Sequence, residues 1–508
     1  MIFLITPSAF AYTPFWDFRQ WDTPQKPIYK EYMNRFVQHR ITALVLMDKS
    51  SMPPFQKEQY FLADANKYGV NVWLRTNRVT PKRGIPGLPN GTLDFALNGE
   101  LQMKTLEYLD QLAALSKKFP NLKGLIIGGE EIVGAHISKK ELSRWDALFY
   151  EENGFHMTGK LTNDQKMQYF DWIQRKNNLW YVKIWDYLHA KYPSLDLFIY
   201  PDKAALGEDD LTEHPRPAYW DIYDLIVTKQ KKYKIISESY NINDPYGAFR
   251  TAAESAYLRD ATQGKVPFYI ILQCHKAKWQ FTAPNNLQIQ SHIFASLVNG
   301  AEGIGFWASD MDSGKDIYET NKDRWESLFH LIEKGLQFSA YENIKPDLYV
   351  LRPYYTKYLE DLQGESSMEI FSQLYMYGFS PGFILDEQAR RNMLPADSKV
   401  IYIPSSYRNE LPESFQNLKT RGYEVFRNDT FDHFKERYNV LISPAIKYSS
   451  SISKERINML LSPKAILLHN PYKKKVTLDI NFMEKNLKIT LFPESLIILD
   501  SLTMYNFL

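Results

Sequence analysis

Cys274 is the only cysteine in 508 residues. A lone thiol supports neither an intramolecular disulfide framework nor a cysteine-based zinc site, and it is compatible with the cytosol and with export. No apolar run reaches the roughly 18 residues needed to cross a bilayer, so no membrane association is expected. Charge of one sign is also missing. Lys and Arg number 61 against 59 Asp and Glu, a formal +2 with both signs interspersed, which is no electrostatic footprint for nucleic acid. No Gly-x-Gly-x-x-Gly fingerprint follows a strand and no phosphate-cradling loop is present, so no nucleotide cofactor is expected. No His-x-x-His or His-Glu-x-x-His pattern exists, so no metal is expected either.

What is present is the balance of a globular chain, 44% hydrophobic and 24% charged. The length exceeds one ordinary domain and implies a large domain with appended modules. Aromatic residues make up 15%, which suits both packed cores and stacking on sugar faces. The N-terminal stretch Met1 to Ala11 has two readings. It is apolar and ends in Ala9-Phe10-Ala11 like a secretory signal, but it lacks a basic start; alternatively, Ile2–Thr6 is a first strand. The compartment stays open, and the strand reading is preferred because the strand count needs it.

The first two-thirds alternates short β-rich runs with amphipathic helical stretches, the rhythm of βαβ units around a parallel sheet. Eight runs are expected as strands: Ile2–Thr6, Ile41–Asp48, Val70–Thr76, Leu122–Gly128, Leu195–Tyr200, Tyr223–Thr228, Pro267–Leu272 and Gly303–Trp307. Eight strand–helix alternations over about 340 residues point to a (β/α)8 TIM barrel, residues 1–342. An open doubly wound sheet is the alternative and normally needs fewer repeats. A second, smaller α/β pattern occupies residues 343–445, with strands at Asp347–Arg352, Ser398–Ile403 and Tyr423–Arg427. The tail changes period to short strands around turns, which predicts a small antiparallel β-domain over 462–508.

Active groups in such barrels sit just past the C-terminal strand ends. Strand four runs into Gly128-Gly129-Glu130-Glu131, where two glycines permit a sharp turn and two carboxylates follow. Adjacent carboxylates in a shielded pocket cannot both ionise cheaply, so one is driven toward the general-acid form. The competing reading is that both acids favour the N-terminus of the next helix. The other strand ends contribute Arg75 and Asn77, Asp202, Gln273 and His275 with Trp279 beyond, then Trp307, Asp310 and Asp312. A ring of acids, bases and aromatics suits a polyhydroxylated ligand, whose hydroxyls need donors and acceptors and whose ring faces accept aromatic platforms. Lys229-Gln230 would close strand six.

With these motifs the chain resembles clan-A glycoside hydrolases, above all barrel β-galactosidases of the family-42 type. Three stretches carry the likeness: the glutamate after strand four, Tyr257 to Tyr269 leading into strand seven, and His292 to Trp307 leading through strand eight. The resemblance implies glycosidase activity on a carbohydrate, Glu131 as acid/base and Trp307 as sugar platform. It also implies a flavodoxin-like middle module used in trimerisation and a small C-terminal β-domain. Two positions depart from it. Glu130 stands where that clan has Asn, and Gln273 stands where it has its nucleophilic glutamate; an amide cannot form the covalent intermediate. The Gly-Gly-acid-acid turn is also similar to β-hexosaminidases, which implies Glu131 as acid/base with Glu130 supporting a substrate acetamide. A third option is a second carboxylate from Asp310 or Asp312. The alternative to an enzyme is a non-catalytic carbohydrate-binding protein on the same barrel.

Overall fold

A computed structural model provides the fold. It describes residues 12–18, 27–47, 53–76, 99–127, 139–156, 162–201, 222–240, 247–274, 283–307, 316–341, 343–352, 367–376, 378–385, 400–404, 422–427, 446–450, 458–462, 465–482 and 485–500, with isolated positions between. Eight parallel strands close into a barrel: β1 (Phe15–Phe18), β2 (Thr42–Leu46), β3 (Val72–Thr76), β4 (Leu122–Ile127), β5 (Asp196–Ile199), β6 (Lys234–Ser239), β7 (Phe268–Gln273) and β8 (Gly303–Trp307). Around them lie α1 (Pro27–Gln38), α2 (Gln56–Tyr68), α3 (Gly99–Ala113), α4 (Lys139–Asn153), α5 (Asn163–Lys191), α6 (Gly247–Thr262), α7 (Asn286–Val298) and α8 (Lys322–Phe338). Helix α7 starts where Asn285 and Gln288 exchange side-chain and backbone hydrogen bonds at 2.8 Å, a capping box that satisfies two otherwise unpaired N–H groups. No helix among the described residues is long and apolar enough to cross a membrane.

Two strand assignments made from the sequence are corrected. The first barrel strand is Phe15–Phe18, hydrogen-bonded to β2 and β8, so Ile2–Thr6 does not supply it; the latter lies outside the described residues. Phe15-Trp16-Asp17-Phe18 has the aromatic content that strands favour, but its central acid disguises it as loop. The second error is strand six. Asp224–Thr228 is a short π-helical turn, and the strand is Lys234–Ser239, so Lys229-Gln230 is not a strand end. A short apolar run such as Leu225 to Val227 cannot be told from buried helix by periodicity alone.

Following the paired partners from β1 round to β1 again displaces the register by eight residues, the shear of a (β/α)8 barrel. At that shear, inward side chains stack in layers drawn from alternate strands. One of these layers is wholly aromatic: Phe15, Trp73, Phe198 and Tyr269, with neighbouring ring centroids 4.7–6.1 Å apart. Tilted and edge-on contacts of this kind suit the ring quadrupoles. Above them come Leu44, Ile126 and Ile236, with Gly305 completing the layer because any Cβ there would overlap the Phe15 ring. These two layers form a packed apolar plug.

After the barrel a parallel sheet is formed by β9 (Leu348–Arg352), β10 (Pro381–Leu385), β11 (Val400–Ile403) and β12 (Glu424–Arg427), with α9 (Ser367–Met376) between the first two strands. Its spatial order β10-β9-β11-β12 is the flavodoxin-like order. The last strands are antiparallel: β13 (Ile446–Ser450) with β16 (Val476–Phe482) and β17 (Lys485–Leu491), and β14 (Asn458–Ser462) with β15 (Ala465–Asn470) and β18 (Ser495–Asp500). These strands begin ahead of residue 462. Helices α6 and α7 join barrel to appendages. Asp260 pairs with Arg259 at 2.8 Å and accepts the Phe383 N–H at 2.7 Å, while Ser291 on α7 hydrogen-bonds His469 on β15 at 3.1 Å.

Candidate active site at the barrel mouth

The interior changes character above the aliphatic layer. The next layer is Asp17, Arg75, Tyr200 and Ile271, and the one above it contains Leu46, Glu238 and Trp307. Gln273, at the last position of β7, lies above these and registers with Trp307, which in turn registers with Asp17. Asp17, Arg75, Tyr200, Glu238, Gln273 and Trp307 are all buried. Barrel interiors are ordinarily filled with branched aliphatics, and burying charged groups costs several kcal/mol per ion unless each is paired and hydrogen-bonded. A concentration of such groups at the strand C-terminal ends is therefore informative.

Several contacts organise the set. The Arg75 guanidinium carbon lies 3.8 Å from the centroid of the Tyr200 ring, close cation–π stacking. The Tyr200 hydroxyl donates a hydrogen bond to Glu238 Oε1. Tyr240, just past β6, packs against Trp307 with ring centroids 5.1 Å apart and planes inclined by 37°. The tip of β7 is fixed from outside. The Cys274 N–H donates to the Trp307 carbonyl at 3.1 Å, and Arg324 Nε donates to the Cys274 carbonyl at 3.4 Å. Arg324 also donates to Asn286 Oδ1 at 2.5 Å and to the Pro284 carbonyl. Burial pushes the Cys274 thiol well above its ordinary range, so this cysteine is no nucleophile.

Of the residues nominated from the sequence, Arg75, Gln273 and Trp307 face into the upper barrel, with Arg75 the deepest of the three. Glu130, Glu131, Asn77, Asp202, His275, Trp279, Asp310 and Asp312 lie outside the described residues. Sequence reasoning missed Asp17, Tyr200, Glu238 and Tyr240. For Glu238 and Tyr240 a signal existed: Ile236, Glu238 and Tyr240 share one face of an alternating run that follows three lysines.

The fold can be compared with solved structures. A catalytic mutant of Gan42B, a GH42 β-galactosidase from G. stearothermophilus, matches with a TM-score of 0.69 at 12% identity, over 97% of this chain and 98% of that one. The chain has the GH42 β-galactosidase fold. A β-galactosidase from Bacillus circulans sp. alkalophilus gives a TM-score of 0.66 at 9% identity over 96% and 98% of the two chains. With nearly the whole of each chain aligned, the GH42-type likeness takes in the appended sheets as well as the barrel. A GH5_18 enzyme from Streptomyces cattleya, solved with Manb1-4GlcNAc, matches less closely, with a TM-score of 0.50 at 13% identity over 82% of this chain. No protein-family model matches the sequence, and no curated protein matches it at the level of sequence.

Proposed function

We propose that this protein hydrolyses O-glycosidic bonds of an oligo- or polysaccharide at the C-terminal mouth of its barrel, with Glu131 as general acid. The observation that carries the reading is the change in the barrel interior. Aromatic and aliphatic layers give way to Asp17, Arg75, Tyr200, Glu238, Gln273 and Trp307 on the side where the strand-four turn emerges. Glu131 follows Ile127 by four residues, which keeps its Cα within about 14 Å of the end of β4. Glu130 beside it raises the cost of ionising both, which favours a protonated donor to the leaving oxygen.

In this reading Trp307 is the platform for a sugar face, and Asn77, Asp202, His275, Trp279 and Asp312 bind hydroxyls, with Asp310 a further carboxylate at the mouth. Residues 1–342 bind and cleave the carbohydrate, while the parallel sheet at 343–445 and the antiparallel strands from Ile446 on buttress the barrel and, by analogy with the GH42 architecture, support a trimer. Gln273 excludes an ordinary retaining mechanism with a strand-seven glutamate, so the second step needs another group, either a different carboxylate acting with inversion or the substrate's own acetamide. The same residue favours a second reading, a barrel that binds carbohydrate without cleaving it.

The test is a panel of 4-nitrophenyl glycosides, N-acetylhexosaminides included, assayed with wild type and Glu131→Gln. Turnover by wild type that falls in the variant supports the proposal. Turnover that survives unchanged removes Glu131 from it, and oligosaccharide binding without turnover by either protein favours the second reading.

A further inference from the structure

We propose that Glu238 on β6 is the second catalytic carboxylate, acting as general base in an inverting hydrolysis; this rests on the glycosidase reading above. Two carboxyl groups are needed for inversion, and Gln273 cannot be one of them. Among the described residues the inward-facing carboxylates of the upper barrel are Asp17 and Glu238. Asp17 sits one layer deeper, level with Tyr200 and Arg75, on a side chain one methylene shorter. Glu238 shares its layer with Trp307, and the face it occupies continues into Tyr240, which packs on Trp307 at 5.1 Å. The strand position of Glu238 is therefore level with the aromatic surface on which a sugar ring would rest.

Its partners suit a base. Tyr200 donates to Oε1 and fixes the carboxylate in place. The Arg75 guanidinium, 3.8 Å from the centroid of the Tyr200 ring, holds that ring in place beneath the carboxylate. The backbone position of Glu238 is one layer deeper than that of Gln273. We assign it the base role, which works through an intervening water and needs no contact with the anomeric carbon. In the step, Glu238 takes a proton from the water as its oxygen bonds to the anomeric carbon from one side. The bond from that carbon to the leaving oxygen breaks on the other side, and the leaving oxygen receives the proton of Glu131. The product hemiacetal has the opposite anomeric configuration.

Three readouts test this on the 4-nitrophenyl glycoside that wild type hydrolyses best. Proton NMR of the first product should give the inverted anomer. Glu238→Gln, which keeps the size and an acceptor for Tyr200, should lower kcat by about 10²–10⁴-fold with little change in KM. The loss should persist on the 2,4-dinitrophenyl analogue, because a better leaving group does not replace a base, and the low-pH limb of kcat/KM should vanish. A retained anomer, activity within an order of magnitude of wild type, or an intact low-pH limb overturns the proposal while leaving the glycosidase reading in place. If Glu238→Gln does not fold, Glu238→Asp is assayed in the same way, and a retained anomer from wild type still overturns the proposal. Wild type that cleaves no member of the panel overturns both.

Discussion

Tyr200 bridges Arg75 and Glu238: its ring carries the guanidinium at 3.8 Å, and its hydroxyl donates to the carboxylate. Removing only the hydroxyl isolates the second half of that bridge. Tyr200→Phe leaves the ring beneath Arg75 but takes from a buried carboxylate one of its donors. The expected cost is about 1–3 kcal/mol of stability, read as a lower urea midpoint at unchanged slope. A midpoint equal to wild type would mean that the hydrogen bond contributes nothing net.

Gly305 tests the layered interior. A methyl at this position would overlap the Phe15 ring, which is held by Trp73 and Tyr269. Gly305→Ala is expected to destabilise by about 1–3 kcal/mol through overpacking, measured by thermal or denaturant unfolding. A neutral effect would show that the aromatic layer has slack.

Two histidines at the junction with the C-terminal strands make stability depend on acid. Burial lowers the His292 imidazole to about 3, with His469 adding to the effect, and burial lowers His469 to about 4. Both are neutral in the fold and titrate near 6.5 once unfolded, so the unfolded chain binds more protons below that pH. Their contribution is intact above about pH 6.5 and is lost as the pH falls toward 3–4, by up to about 1.4 kcal/mol per pH unit for each group. Unfolding free energies of wild type and His292→Gln between pH 4 and 7 check this. The variant should show a shallower slope, and an equal slope would assign the acid sensitivity elsewhere.

Asp260 tests how the barrel holds the parallel sheet. One carboxylate pairs with Arg259 on its own helix and accepts the Phe383 N–H at 2.7 Å across the junction. Asp260→Ala strands a largely buried guanidinium and an amide, an expected loss of about 3–5 kcal/mol. Calorimetry should show unfolding split or broadened relative to wild type as the sheet loosens. An unchanged transition would show that the apolar contacts suffice.

The parts that read well from sequence are those where both strand faces are apolar. Strands β4, β7 and β8 are continuous runs bounded by turns, and the flavodoxin-like sheet showed itself through Leu348–Arg352, Val400–Ile403 and Glu424–Arg427. Strand β10 escaped because Pro381 and Gly382 disguise its start, and β13 because Ile446–Ser450 is mostly polar. The candidate site was harder for a physical reason. When both faces of a strand are buried, composition does not say which residues face the barrel axis and which face the helices; the register does. Asp17 and Glu238 sit inside runs whose polar members looked like interruptions, and only the shear of the closed barrel brings them level with Arg75, Tyr200 and Trp307. Arg75, Gln273 and Trp307 were accessible because each lies at the end of a strand whose limits were nearly right.

The most direct measurement compares Glu131→Gln with wild type across leaving groups of graded acidity. If Glu131 protonates the leaving oxygen, the variant should lose about 10²–10⁴-fold on 4-methylumbelliferyl and alkyl glycosides and far less on 2,4-dinitrophenyl glycosides, whose leaving group departs without a proton. A loss equal for all leaving groups, or none at all, would contradict the assignment of Glu131 and with it the mechanism proposed for this barrel.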